Sequence, residues 1–320
     1  MNKWLSIFLV SLCGVAEAQN YPNKPVKLVV GFAAGGPTDV IARVLAQDMT
    51  ASFGQAVVVE NKTGANAMIA TQEVKRAAPD GHTILMTTLS HNVNAILLAD
   101  KNPYDPIKDF APVSLVSFLP LVMVAKADSP FKTPQDVVKA AKAKPGEVSY
   151  ASAGNGGSAH LAAALVANLS GTEMTHVPFR GNAPALTEVM AGRVSFMFYP
   201  MIGIADQVAQ KRLKALAVST EKRHPDYPGA PTMAESGFPG FEQYTQGLGI
   251  VAPAGTPAPV VNRLNQVIRA SLAKPETKEK LRALGAITEG GSTPADFSAW
   301  LQKDRERWAK VIKAAGVKAD

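Results

Sequence analysis

Twice along this chain an apolar run gives way to a glycine loop and then to a helical pattern. At the first junction Val26-Lys27-Leu28-Val29-Val30 leads into Gly31-Phe32-Ala33-Ala34-Gly35-Gly36-Pro37-Thr38-Asp39, followed by Val40, Ile41, Val44 and Leu45 at helical spacing. At the second, a strand pattern over residues 147–152 leads into Ser152-Ala153-Gly154-Asn155-Gly156-Gly157-Ser158 and a helix over 159–169. A strand that turns at glycine and restarts as a helix belongs to a parallel α/β layer, because the helix must return across the sheet before the next parallel strand can add. Each junction is also a candidate anion site. The first helical amides have no intrahelical acceptor, the helix dipole is positive there, and glycine lets a ligand approach the main chain.

The remaining pattern extends this α/β reading. Residues 57–60 and 83–87 are predicted strands with a helix over 69–77 between them. The apolar segment 113–124, interrupted by Pro120, is long enough to cross from one lobe to another. After it Thr133, Pro134 and Asp136 supply a cap, a first helical residue and a first-turn acid for a helix running to about 142. Strands follow at 174–177, 194–199 and 213–218, with a helix over 184–191, and 247–253 is a second crossing segment. The rest is helical, over 259–272, 275–284 and 294–315. A chain of this length exceeds one core. Two crossings therefore predict a first lobe from residues 19–122 and 243–320 and a second from 123–242.

Residues 1–18 have the form of a secretory signal peptide: Lys3, an apolar stretch over 4–15, then Ala16-Glu17-Ala18. The only cysteine, Cys13, falls inside it, so disulfides and thiol chemistry are not expected. A lipoprotein reading of Cys13 would want a small residue where Leu12 stands. No later stretch approaches the roughly 20 apolar residues of a membrane helix, so an exported, soluble protein is expected. The formal charge is +7. It favours anionic ligands or an anionic membrane surface over a basic partner, although a solvated lysine surface accounts for most of it. The basic residues are dispersed and lack an aromatic-rich stripe, which argues against nucleic acid.

Gly31-x-x-x-x-Gly36-Pro37-Thr38 is one residue from a phosphate-binding P-loop, with Pro37 where the lysine belongs. Proline suits the first helical position but cannot supply the charge. What remains is a small-anion cradle or a plain tight turn. Gly156-Gly157-Ser158-Ala159-His160 resembles a nucleophile elbow except that His160 replaces its last glycine, so Ser158 reads as a capping or ligand-bonding hydroxyl rather than a nucleophile. The five histidines have no metal-ligand spacing, and no metal or cofactor is expected. Arg180, between Phe179 and Gly181 at a strand-to-helix loop, is either a carboxylate clamp or half of a surface ion pair. Ser90, His91, Asn92 and Asn94 follow the 83–87 strand, and Tyr199 ends another strand. Carboxyl strand ends are where α/β proteins collect ligands, yet each of these residues singly also reads as ordinary loop.

Taken in order, Gly35-Gly36-Pro37-Thr38-Asp39, Val58-Val59-Glu60-Asn61-Lys62, Pro79-Asp80-Gly81, Tyr104-Asp105-Pro106, Asp109-Phe110-Ala111-Pro112-Val113, Tyr150-Ala151-Ser152, Gly156-Gly157-Ser158, Pro178-Phe179-Arg180-Gly181 and Ala252-Pro253-Ala254-Gly255-Thr256-Pro257 cover nearly the whole chain. Together they make it similar to the extracytoplasmic solute receptors of tripartite tricarboxylate transporters, the Bug family. The resemblance implies a type II periplasmic-binding-protein fold: two α/β lobes with mixed, mostly parallel sheets, joined by two crossing strands and closing on a ligand. It implies a small organic carboxylate as ligand, permease subunits as membrane partners, a periplasmic monomer and no catalysis. It implies that the ligand carboxylate is held by the loops Gly35 to Asp39 and Ser152 to Ser158, with waters mediating some contacts. With the positional candidates above, the expected ligand-binding residues are Phe32, Gly35, Gly36, Pro37, Thr38, Asp39, Ser90, His91, Ser152, Asn155, Gly156, Ser158, Arg180, Gly181 and Tyr199. Two departures stand out. Gly64-Ala65-Asn66-Ala67 has fewer glycines than many relatives, which suggests a stiffer loop. Tyr199 stands where many carry an aspartate, which favours a non-amino mono- or dicarboxylate. The alternatives are a secreted serine hydrolase and a sensory receptor that presents the same bound acid.

Overall fold

The computed structural model describes residues 21–318, and the expected signal peptide with Cys13 lies outside them. The chain begins with β1 (Val26–Val30), α1 (Pro37–Phe53), β2 (Val57–Asn61), α2 (Met68–Lys75), β3 (Thr83–Thr87), α3 (Ser90–Leu98) and β4 (Phe110–Leu119). Past Pro120 it enters a second lobe: β5 (Leu121–Lys126), α4 (Pro134–Ala143), β6 (Ser149–Ser152), α5 (Ser158–Ser170), β7 (Thr175–Pro178), α6 (Asn182–Met190), β8 (Phe196–Pro200), α7 (Ala205–Ala209) and β9 (Leu213–Val218). It returns along β10 (Gln246–Pro253) and ends with α8 (Ala258–Ala273), α9 (Pro275–Ala283) and α10 (Pro294–Ala315).

The two five-stranded sheets share one plan. The first has the order β2-β1-β3-β10-β4 and the second β7-β6-β8-β5-β9. In each, the strand followed by a glycine loop, β1 or β6, lies between two parallel neighbours. The fourth strand of each order, β10 or β5, runs antiparallel to both of its neighbours. Those two reversed strands are the ones that carry the chain between lobes. Pro120 sits at the break between β4 and β5, where its missing N–H removes no ladder bond.

Each sheet is covered on both faces. Val26, Leu28 and Val30 of β1 pack with Ile41, Leu45 and Met49 of α1, while Val29 points to the other face with Val74 and Leu85. A fully buried side chain of this size contributes about 1.5–3 kcal/mol, and its truncation to alanine costs about 2–5. Local signals set the helix ends. Pro37 starts α1, Gly54 closes it in the left-handed conformation, and Thr133 with Asp136 forms a capping box on α4.

Two helices straddle the lobes. Phe297 and Leu301 of α10 pack with Val29 and Val251 of the first lobe, whereas Trp308, Val311 and Ile312 lie in the second core with Tyr150 and Phe196. Leu89 and Val93 also join that second core. Asn92 Nδ2 ties the two helices together, donating to Leu301 O and to Asp304 Oδ2, each at 3.0 Å. The helix α3 replaces the loop expected after residue 87. Its first turn, Ser90-His91-Asn92-Val93-Asn94, is poor in helix formers, and burial of all five residues outweighs that propensity.

Candidate ligand-binding cleft

A cavity of about 260 Å³ lies between the lobes. It is bounded by the loops that follow β1, β2, β6 and β7, together with the end of α3. Four carboxyl strand ends therefore converge on it, the usual location for ligands in open α/β sheets. Its apolar walls are Phe32, Met68, Leu97, Leu98 and Phe179. Its one ionisable lining residue is Arg180, exposed and without an ion-pair or hydrogen-bond partner among the described residues.

The loop after β1 presents Gly31 and Phe32 to the cavity. Gly31 is required sterically, since a Cβ there would lie 2.2 Å from Ala67 Cβ. Gly35 is exposed, and Gly36, Pro37, Thr38 and Asp39 are buried behind the lining. The Asp39 carboxylate accepts from Gly35 N, Arg43 Nε and Asn61 Nδ2, all at 2.9 Å. Burial alone would raise its pKa, but the hydrogen bonds from Arg43, Gly35 and Asn61 and the guanidinium charge hold it below the ordinary carboxylate value. Asp39 thus braces the loop from behind.

The loop after β6 is similarly braced. Asn155 lines the cavity with Ala153 and Gly154, and its Oδ1 is buried without a hydrogen-bond partner among the described residues. Ser152 lies behind, donating to Gly154 O and accepting from Gly154 N, with His176 Nε2 at 2.6 Å. Gly156 N donates to His160 Nδ1 at 2.9 Å, and His160 stacks on His176 with centroids 3.9 Å apart. Ser158 is the buried first residue of α5. Residues two apart on a helix do not face each other, so the fold gives Ser158 and His160 no common direction as a nucleophile and base. Neither α1 nor α5 has a side-chain cap at its N-terminus, which leaves their first amides to solvent or ligand.

The sequence reading passed over the segment that contributes most to the first-lobe wall, residues 64–68. Ala65, Asn66 and Ala67 are three successive non-glycine residues with left-handed φ, at 45°, 50° and 68°. Such a run costs roughly 1–2 kcal/mol per residue, less for asparagine. Asn66 is held from three sides: Ser90 Oγ donates to its Oδ1 at 2.8 Å, its Nδ2 donates to Asn94 Oδ1 at 3.0 Å, and Asn94 Nδ2 donates to its carbonyl at 3.0 Å. Ser90 therefore acts one step behind the cavity. The signal for this segment was the glycine-poor Gly64-Ala65-Asn66-Ala67 itself.

Other expected site residues lie apart from the lining. His91 is buried on Tyr104 and donates from Nε2 to Pro106 O at 2.8 Å. Burial drives its pKa down to about 4 against that hydrogen bond. Tyr199 is in the second-lobe core with Val122 and Met201. Gly181 caps α6 and meets the first lobe, where a Cβ would lie 3.1 Å from Ala33 N.

Two α/β lobes of one sheet plan, joined by two crossing strands over a cleft at their carboxyl strand ends, define the periplasmic-binding-protein-like fold. The chain belongs to the tripartite tricarboxylate transporter family receptors, whose family description matches residues 41–317. It is 42% identical over 293 residues to a protein from the tcbD-tcbE intergenic region of Pseudomonas sp. strain P51, covering 91% of this chain and 86% of that protein. The periplasmic binding protein BugD is 36% identical, with a TM-score of 0.88 over 94% of this chain and 100% of BugD. Two Rhodopseudomonas palustris structures, each 32% identical, align as well. MatC with bound malate has a TM-score of 0.86 over 91% of this chain and 100% of MatC, and Rpa4515 with adipate has 0.88 over 93% and 99%.

Proposed function

We propose that this protein is a periplasmic receptor that captures a small organic carboxylate between its lobes and delivers it to the permease subunits of a tripartite transporter. The carrying observation is Arg180, among the described residues the only ionisable one of the cavity lining and one with no acidic partner. Arg180 is exposed at the edge of an apolar cavity, where its guanidinium can take a ligand carboxylate in a charge-assisted, bidentate pair. Phe32, Leu97, Leu98 and Phe179 would cover the ligand's carbon skeleton. Bound malate and adipate in two relatives support the same ligand class.

On this reading residues 1–18 are removed on export, and the mature chain works as a monomer. We assign residues 19–122 and 243–320 to the first lobe and residues 123–242 to the second, with the end of α10 rooted in the second core. Phe32, Asn155 and Arg180 meet the ligand, while Gly35 to Asp39, Ser90, Ser152, Gly156, Ser158 and Gly181 shape the loops that present it. Among the described residues no helix is long and apolar enough to cross a membrane.

Calorimetry and thermal shift against a panel of aliphatic and aromatic acids test the proposal. A cognate acid at 100 times its Kd adds about 2.7 kcal/mol of stability. No response from ligand-free protein to any acid overturns it.

A further inference from the structure

We infer that Asn66 is the positioning residue for lobe closure, the point on the first lobe against which the glycine loop of the second lobe seats. This rests on the receptor reading for its purpose but not for its geometry. A Cβ built on Gly154 would lie 3.7 Å from both Cα and Cβ of Asn66, one on Gly156 3.4 Å from its Nδ2, and one on Gly157 3.7 Å from its Oδ1. Three glycines of one second-lobe loop, Gly154, Gly156 and Gly157, therefore approach the same first-lobe residue.

That side chain cannot swing away. Ser90 and Asn94 hold both ends of its amide, and Asn94 also holds its carbonyl. The left-handed backbone at φ 50° is one that asparagine tolerates better than other side chains bearing a Cβ. The same residue lines the ligand cavity. Asn66 thus joins three features at one position: a left-handed turn, a fixed amide and a surface that the second-lobe glycine loop approaches to within van der Waals contact.

The test separates backbone from side chain. Asn66→Gly keeps the left-handed freedom and removes the seat, whereas Asn66→Ala removes both. Spin labels at Val58→Cys and Leu169→Cys, exposed positions on opposite lobes, report the interlobe distance in mature protein. The expected result is a smaller closed population in Asn66→Gly at a near-unchanged thermal midpoint, and a further fall in midpoint for Asn66→Ala. With malate and adipate as probes, dissociation from Asn66→Gly is expected to accelerate by roughly tenfold or more. Identical distance distributions for wild type and Asn66→Gly, with and without the acids, overturn the inference, as does a wild type with one unchanging long distance. If no acid binds wild type, the receptor reading fails, and the ligand-free distances still decide the role of Asn66.

Discussion

The backbone N–H of Gly156 donates to Nδ1 of His160 across 2.9 Å, which requires that nitrogen to be an acceptor and the ring to be neutral. Burial, reinforced by the neighbouring imidazole of His176, pushes the His160 pKa down to about 3. The turn at the mouth of the second lobe is therefore built on an uncharged histidine.

A pH dependence of stability follows from His160 and His91. Both rings titrate near 6.5 when unfolded and stay neutral in the native state down to about 3 and about 4. The unfolded chain then binds more protons over that interval, so stability is complete above pH 6.5 and falls as the pH drops toward 4. The combined loss is on the order of a few kcal/mol, measured as the shift in urea midpoint between about pH 7 and about pH 4.5. His160→Asn, whose side-chain oxygen can still accept from Gly156, is expected to flatten the curve. An unchanged slope would assign the loss to other groups.

Gly156→Val is expected to abolish ligand binding. A Cβ there would lie 2.7 Å from Leu97 Cδ1 and 2.9 Å from Val93 Cγ1, and φ is 76°. The valine must push aside the Leu97 and Val93 side chains at the lobe junction while holding a backbone conformation that β-branched residues rarely adopt. Gly35→Ala is the matched control, with the same φ and nothing within 4 Å of the new Cβ. It should cost about 1 kcal/mol of stability and leave affinity within about twofold, read by calorimetry.

Arg180→Gln should weaken carboxylate binding by about 1.5–3 kcal/mol, roughly tenfold to a hundredfold, with little effect on the thermal midpoint of the free protein. Arg180 is exposed and has no partner among the described residues to lose. Arg180→Lys should recover part of the affinity, because it keeps the charge without the planar fork.

Asp304→Ala tests the tie between α3 and α10. The carboxyl is buried, and its pKa is raised by desolvation against the opposing charge and hydrogen bond of Arg307 and the hydrogen bond of Asn92. Truncation removes one of the two acceptors of the Asn92 amide and the counter-charge of Arg307. The expected cost is about 3 kcal/mol, seen as a fall of several degrees in the thermal midpoint.

The strands and the helix caps were legible because their signals are local. Thr133, Pro134 and Asp136 predicted the start of α4, and Pro120 and Pro294 marked real breaks. The helix α3 was not legible, since Ser90, His91, Asn92 and Asn94 favour caps and turns, and only tertiary burial makes them helical. The cleft was half legible. Glycine and proline at 35–37 and glycine at 156–157 located the loops, but composition cannot tell which side of a loop faces a ligand. Asp39 has the chemistry of a ligand contact and spends it on Gly35, Arg43 and Asn61. Asn66 has unremarkable chemistry and becomes central only because the lobes meet on it.

The path of α10 bears on how motion of the protein should be observed. The chain order places the C-terminus with the first sheet, but Trp308, Val311 and Ile312 are rooted in the second core, and Val317 packs against it. A fluorescent reporter fused after residue 317 would ride with the second lobe. Paired with a dye near Val58, it would read opening and closing directly, whereas pairing with a dye on α5 would give a signal blind to ligand.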